Sequence, residues 1–193
     1  MLELPQALQG MSAYRQFILY ELLPDVNRPG KTHKYPMNPH THMRANAHDT
    51  NIWVDVKTAM LVSQVTGYGV GFAFAESDPY FFVDVDDALL PDGNWDSTAN
   101  WLCNVFSGCA VEVSQSGSGL HIIGSGQVSE QRRKKCKDYN FDIYTSMRFC
   151  ALTGNNAYGD VNYNAQGPLE FICETYLKQE EFLYDLSWQD KPS

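Results

Sequence analysis

No stretch of the chain approaches the roughly 18 apolar residues that a membrane-spanning helix needs, and residues 1–10 hold Glu3 and no basic cluster. Neither a span nor a secretory leader is expected, and the reading is a cytoplasmic protein. Cysteine is scarce and unpatterned. Cys103, Cys109, Cys136, Cys150 and Cys173 form an odd set of 5 without a CxxC, which excludes a disulfide framework and a zinc knuckle and leaves reduced, mostly buried thiols. Positive charge is also short: 14 Lys and Arg stand against 23 Asp and Glu, for a net charge of −9, and none lies between Lys57 and Arg132. Phosphate neutralisation by Lys and Arg supplies most non-specific nucleic-acid affinity, so a broadly basic binding surface is excluded. Two basic segments remain. Arg28, Lys31, Lys34 and Arg44 form the first; Arg132, Arg133, Lys134, Lys135 and Lys137 form the second. Each is able to hold a polyanion locally, with strong salt dependence. For the second, a solvated helix or loop is the plain alternative.

What is present suits a globular α+β domain: 193 residues, 44% of them hydrophobic and 13% aromatic, enough for one sizeable core. The apolar run 16–23 reads as a strand closed by Pro24, followed by an irregular basic loop with Pro29, Gly30, Pro36 and Pro39 and the histidines His33, His40, His42 and His48. A helix is expected over 50–65, capped by Asp49 or Thr50, with Trp53, Val56 and Met60 on one stripe and Gly67 ending it. Runs 69–75 and 80–86 read as a hairpin turning at Ser77, Asp78 and Pro79. A loop at 91–94, a helix at 97–106 and strands at 110–114 and 120–124 follow. A second hairpin is expected from 139–145 and 148–153, and Pro168 at the first helical position opens a last helix to about residue 178.

Three constellations carry chemistry. The first is the run 80–87, which begins apolar and ends in Asp84, Asp86 and Asp87. Alternation puts Asp84 and Asp86 on one face and Asp87 on the other. Two carboxylates converging at an open strand end repel unless hard divalent cations sit between them. Acidic residues after a strand also begin ordinary solvated loops, and a calcium loop fails because Leu89 and Trp95 stand where it needs Gly and Glu. The second is the segment 114–121, Ser-Gln-Ser-Gly-Ser-Gly-Leu-His, whose glycines free backbone N–H groups and whose hydroxyls add donors for an anion. No Gly-Lys-Ser/Thr follows, so it is not a P-loop; a glycine-rich hairpin with an incidental His121 is the alternative. The third runs over 141–154. Asp142 sits in an apolar strand, where a carboxylate needs a cation, a partner such as Arg148, or hydrogen bonds.

In order and spacing, these segments resemble the primase-polymerase (Prim-Pol) family of the archaeo-eukaryotic primase superfamily. Its signatures are a DxD strand, an SxxGxGxH-like segment and a later acidic residue before an Arg-Phe-x-x-Leu-Thr-Gly-like strand. The resemblance covers about residues 15–160, with Asp142 where the family admits Glu or Asp. It implies a two-lobed catalytic domain: an N-terminal α/β lobe over about 1–66, an RRM-like antiparallel sheet carrying the metal site over 67–165, and a C-terminal helix and tail over 166–193. By the same resemblance, Asp84, Asp86 and Asp142 are catalytic and bind two Mg²⁺ or Mn²⁺ ions. Ser114, Ser116, Gly117, Ser118, Gly119, His121 and Arg148 then hold the triphosphate. Lys31, Lys34 and the segment with Arg132, Arg133, Lys134, Lys135 and Lys137 contact phosphate or template DNA. The activity implied is template-directed nucleotidyl transfer from (d)NTPs to a 3′-hydroxyl on single-stranded or primed DNA, by a bacterial or phage protein, with a helicase as a partner in a longer chain. A metal-dependent nuclease and an inactive single-strand or nucleotide-binding module are the alternatives. A relaxase-type nuclease built on His40 and His42 is disfavoured, because Thr41 separates them and the region lacks strand character.

Overall fold

The computed structural model describes residues 3–27, 29–128, 133–136 and 139–176. Its strands are β1 (Phe17–Pro24), β2 (Thr32–Met37), β3 (Gly69–Phe74), β4 (Tyr80–Val85), β5 (Ala110–Val113), β6 (Leu120–Ser125), β7 (Arg133–Cys136), β8 (Phe141–Tyr144) and β9 (Arg148–Ala151); its helices are α1 (Val56–Thr66), α2 (Ser97–Val105) and α3 (Gln166–Tyr176). They build a mixed α/β structure around two antiparallel sheets, ordered β2-β1-β3-β9 and β5-β6-β4-β8-β7.

Both expected hairpins are absent. β3 and β4 lie in different sheets, as do β8 and β9. The chain steps from one sheet to the other at residues 75–79 and returns at 145–147, where the Met147 N–H donates to Phe74 O at 3.0 Å. Asp78 fixes the first step, accepting from Ala75 N, Gln16 Nε2 and Tyr80 N at 2.8, 2.7 and 2.9 Å. The runs are apolar at successive positions, so they suit strands covered on both faces as well as neighbours in one sheet. Phe72 and Phe74 meet Phe82, Ile123 and Tyr144 across the space between the sheets, and the Phe74 and Phe82 rings stack 5.5 Å apart. Burying each such side chain contributes about 1.5–3 kcal/mol.

Side-chain caps set the helices. Asp55 accepts from Thr58 N at 3.0 Å to start α1, and Gly67 ends it with φ of 76°. The single helix expected over 50–65 is thus two elements: a 3₁₀ turn, Thr50–Ile52, capped by Asp49, and then α1. Asp96 caps α2 through Ala99 N at 2.8 Å. Gln166 begins α3, so Pro168 is two residues further in than expected, still in the first turn, where no intrahelical partner is lost. α2 and α3 cover the outer face of the five-stranded sheet through Leu102, Phe106, Leu169 and Ile172, packed on Phe81, Val83, Ile122 and Ile143. Part of the expected basic loop is the edge strand β2, which tolerates Pro36 for that reason. The basic stretch near 132–137, expected as helix or loop, contains strand β7. β3 and β9 complete the sheet that β1 and β2 begin.

Candidate active site

A transverse row crosses the five-stranded sheet. Glu112, His121, Asp84, Asp142 and Lys135, from β5, β6, β4, β8 and β7, are register partners one after another. Directly opposed residues share a face with Cβ atoms about 4.5–5.5 Å apart, so Glu112, His121, Asp84 and Asp142 stand side by side on one face. Two residues along on the same face stand Phe82, Ile123 and Tyr144, where the sheets are in contact. At the row Arg148 and Cys150 still reach across, to Asp84 at 3.1 Å and to His121 at 3.4 Å, and a cleft opens beside them. The resulting cleft, about 410 Å³, is lined by Asp84, His121 and Phe82 on one side and by Arg148, Cys150, Thr32, His33 and Lys34 on the other.

Asp84 is the centre of its contacts. Arg148 Nη2 donates to Asp84 Oδ2 at 3.1 Å, and His121 Nε2 lies 3.9 Å from Asp84 Oδ1. The Arg148 guanidinium also sits 4.5 Å above the Tyr144 ring, and Tyr144 Oη donates to Asp142 Oδ2 at 2.9 Å. β4 ends at Val85, so strict alternation stops there. Asp86 lies beyond it, anchored by backbone contacts with Asn140. Burial, then the charges of Asp84, Asp87 and Asp142, push its carboxyl above the usual range, with Lys34 opposing. Four carboxylates therefore crowd the strand end. Asp87, with φ of 47°, turns to Lys31 at 2.9 Å and to Ser118 Oγ at 3.3 Å.

The glycine-rich turn closes beside them. Ser114 N donates to Gly119 O and Gly117 N to Ser114 O, both at 2.9 Å, while the Ser114, Ser116 and Ser118 hydroxyls bond in a chain at 3.0 and 3.1 Å. Gly119 is required by space: a Cβ there would run into Val85 O. Tyr20, across in β1, donates to Gln115 Oε1 at 2.7 Å and ties the turn to the other sheet.

The structure thus brings Asp84, Asp86, Asp142, His121, Arg148, Lys31 and Lys34 to one end of the two sheets, with the Ser114–Gly119 turn linked through Ser118 and Asp87. Lys135 is in register with Asp142; the side chains of Arg133, Lys134 and Lys135, and all of Arg132 and Lys137, lie outside the described residues. His40 and His42 are exposed in the turn after β2.

Glu112 was not singled out by the sequence reading. It is 1% exposed and accepts from His121 Nδ1 at 2.8 Å and from the backbone of Thr153 and Gly154 at 3.2 and 2.7 Å. The signal was there: a carboxylate inside a short apolar strand needs partners, the same argument that drew attention to Asp142. Cys150 Sγ lies 3.4 Å from the same ring nitrogen. Burial opposes charge on the ring, but Cys150 and Glu112 outweigh it and push the His121 pKa up to about 10. Burial pushes the Cys150 thiol up as well, so the carboxylate is the lasting counter-charge.

Two opposed sheets, one bearing a row of carboxylates and the other presenting cations across a cleft, make up a mixed α/β structure, and sequence comparison finds a primase-polymerase relative. The supporting relative is a DNA primase-polymerase of Nitratiruptor phage NrS-1, 28% identical over 159 residues, which cover 79% of this chain. The match spans 21% of that relative's length. No family model matches the chain. Among the described residues, no helix is long and apolar enough to cross a membrane.

Proposed function

We propose that the domain is a DNA primase and polymerase module catalysing template-directed nucleotidyl transfer from (d)NTPs to a 3′-hydroxyl. The observation that carries this reading is the register row, which sets Asp84 and Asp142 directly opposite one another with Asp86 at the strand end and phosphate-binding side chains facing them. The donor set fits hard divalent ions: crowded carboxylate oxygens, with burial first and then their mutual repulsion raising the Asp86 pKa. Asp84, Asp86 and Asp142 would hold two Mg²⁺ or Mn²⁺ ions. When bound, these ions would lower the pKa of the attacking hydroxyl and neutralise charge on the departing pyrophosphate.

The chain's own groups do the rest. Arg148 binds phosphate in bidentate fashion on leaving Asp84; its Nε makes no hydrogen bond in this state, so it has a donor to spare. His121 presents Nε2 to the cleft, and the Ser114–Gly119 turn supplies hydroxyl and backbone donors at the acidic strand end. Lys31 and Lys34 offset the negative charge from β2 and meet template or triphosphate, and the basic β7 edge follows the template backbone. Base selection is left to template pairing. Single-stranded or primed DNA and nucleoside triphosphates are the expected partners, with a helicase region in a longer protein.

The test is primer-free and primer-extension synthesis with Mg²⁺ or Mn²⁺, comparing the wild type with Asp84→Ala plus Asp86→Ala. Loss of at least about 100-fold is expected, since even partners that only orient metal ligands cost 10–100-fold. Undiminished synthesis in the double variant sinks the assignment. DNA cleavage with metal but without nucleotides would instead indicate hydrolysis.

A further inference from the structure

Glu112 is spent on holding other groups. Its side chain is wholly inaccessible, and its Oε1 and Oε2 accept from the His121 ring, from Thr153 N at 3.2 Å to each oxygen, and from Gly154 N at 2.7 Å. Glu112, His121 and Cys150 lie close enough to suggest a metal ion, their ligand atoms being within 4.8 Å of one another. Yet both carboxylate oxygens are already engaged by backbone N–H groups and the ring, which is the bonding of a scaffold. A carboxylate in this role only accepts, so the ring nitrogen facing it must carry a proton. The Cys150 sulfur near the same nitrogen is a weaker acceptor and does not change that assignment.

We propose that Glu112 is a positioning residue: by accepting the Nδ1–H of His121 it lets the ring carry a second proton on Nε2 and aims that Nε2–H at the phosphates of a nucleoside triphosphate in the cleft, and by gripping Thr153 and Gly154 it sets the end of β9, whose start carries Arg148. This rests on the reading of the cleft as a nucleotide site. It also accounts for the Thr-Gly pair that closes the third motif: the pair supplies the two backbone donors, and Thr153 Oγ1 binds Val113 O at 2.6 Å to hold them there.

Glu112→Gln separates positioning from folding. The amide oxygen must stay with Thr153 and Gly154, so the NH₂ faces His121 and donates to Nδ1; the ring is then neutral with its one proton on Nε2, and it meets phosphate without the positive charge that the carboxylate allows. Two measurements decide. Long-range ¹H–¹⁵N spectra of the metal-free protein are expected to show a protonated Nδ1 in the wild type and a bare one in Glu112→Gln. Primer-extension kinetics are expected to show a KM for the nucleotide raised about 10–100-fold in Glu112→Gln with a smaller change in kcat. In a His121→Ala background the Glu112→Gln change should add no further loss, as it would if the two residues act as one unit. A bare Nδ1 in the wild type, which needs no variant, overturns the proposal; so does additive loss in the double variant. If no form of the protein synthesises DNA, the nucleotidyl-transfer reading fails while the spectra still decide the role of Glu112.

Discussion

Asp86 illustrates what a polar site costs a fold. Its carboxylate is part-buried and then crowded by Asp84, Asp87 and Asp142, so its ionised form is held at a disadvantage in the native state. Asp86→Asn should therefore raise the thermal midpoint in the presence of a chelator and remove the further rise that Mn²⁺ gives the wild type; a lower midpoint with chelator would contradict the crowding. The residues of this site were partly legible in sequence, because charge inside an apolar strand is expensive wherever it occurs. Asp142 stood out on that ground, and Asp84 because it converges with Asp86 at an open strand end. Glu112 satisfies the same rule and was passed over because its partners, the Thr153 and Gly154 backbone, are some forty positions away. The Arg148 contact with Asp84 is likewise tertiary, and nothing in the local spacing fixes it.

Among the elements, the glycine-rich turn joining β5 to β6 makes the sharpest test. Gly117 has φ of 77° with open space around its missing side chain, whereas Gly119 abuts the backbone at Val85. Gly117→Ala should cost only the left-handed penalty of about 1–2 kcal/mol. Gly119→Ala must push the turn off the end of β4, costing about 1–3 kcal/mol and moving Ser118 away from Asp87; nucleotide affinity should fall with it. Chemical denaturation and nucleotide titration of both variants check the order, and equal effects would show that the close approach is unimportant. Strand positions and helix caps were readable from composition and turn residues, and the β5–β6 hairpin was recognised. The pairing of β3 with β9 and of β4 with β8 was not, because a strand apolar on both faces does not reveal which sheet it joins.

For the molecule as a whole, a net charge of −9 makes DNA binding a local matter. If Lys31, Lys34 and the basic β7 edge neutralise about three phosphates, the log–log salt slope for single-stranded DNA is about −2, and affinity drops roughly 20-fold from 50 to 200 mM salt. Fluorescence anisotropy in a salt series measures it, and a slope near zero would remove those cations from the interface. The register row carries a further consequence for how such a protein comes into being. Asp84 meets Asp142 only when β8 pairs with β4, and Glu112 is satisfied only when Thr153 and Gly154 arrive after β9. A nascent chain that has yet to release β8 and β9 from the ribosome holds its first two carboxylates without their opposite strand. The row is thus completed by long-range pairing, once β8 and the segment after β9 have been made, and not by local folding around Asp84 or Glu112.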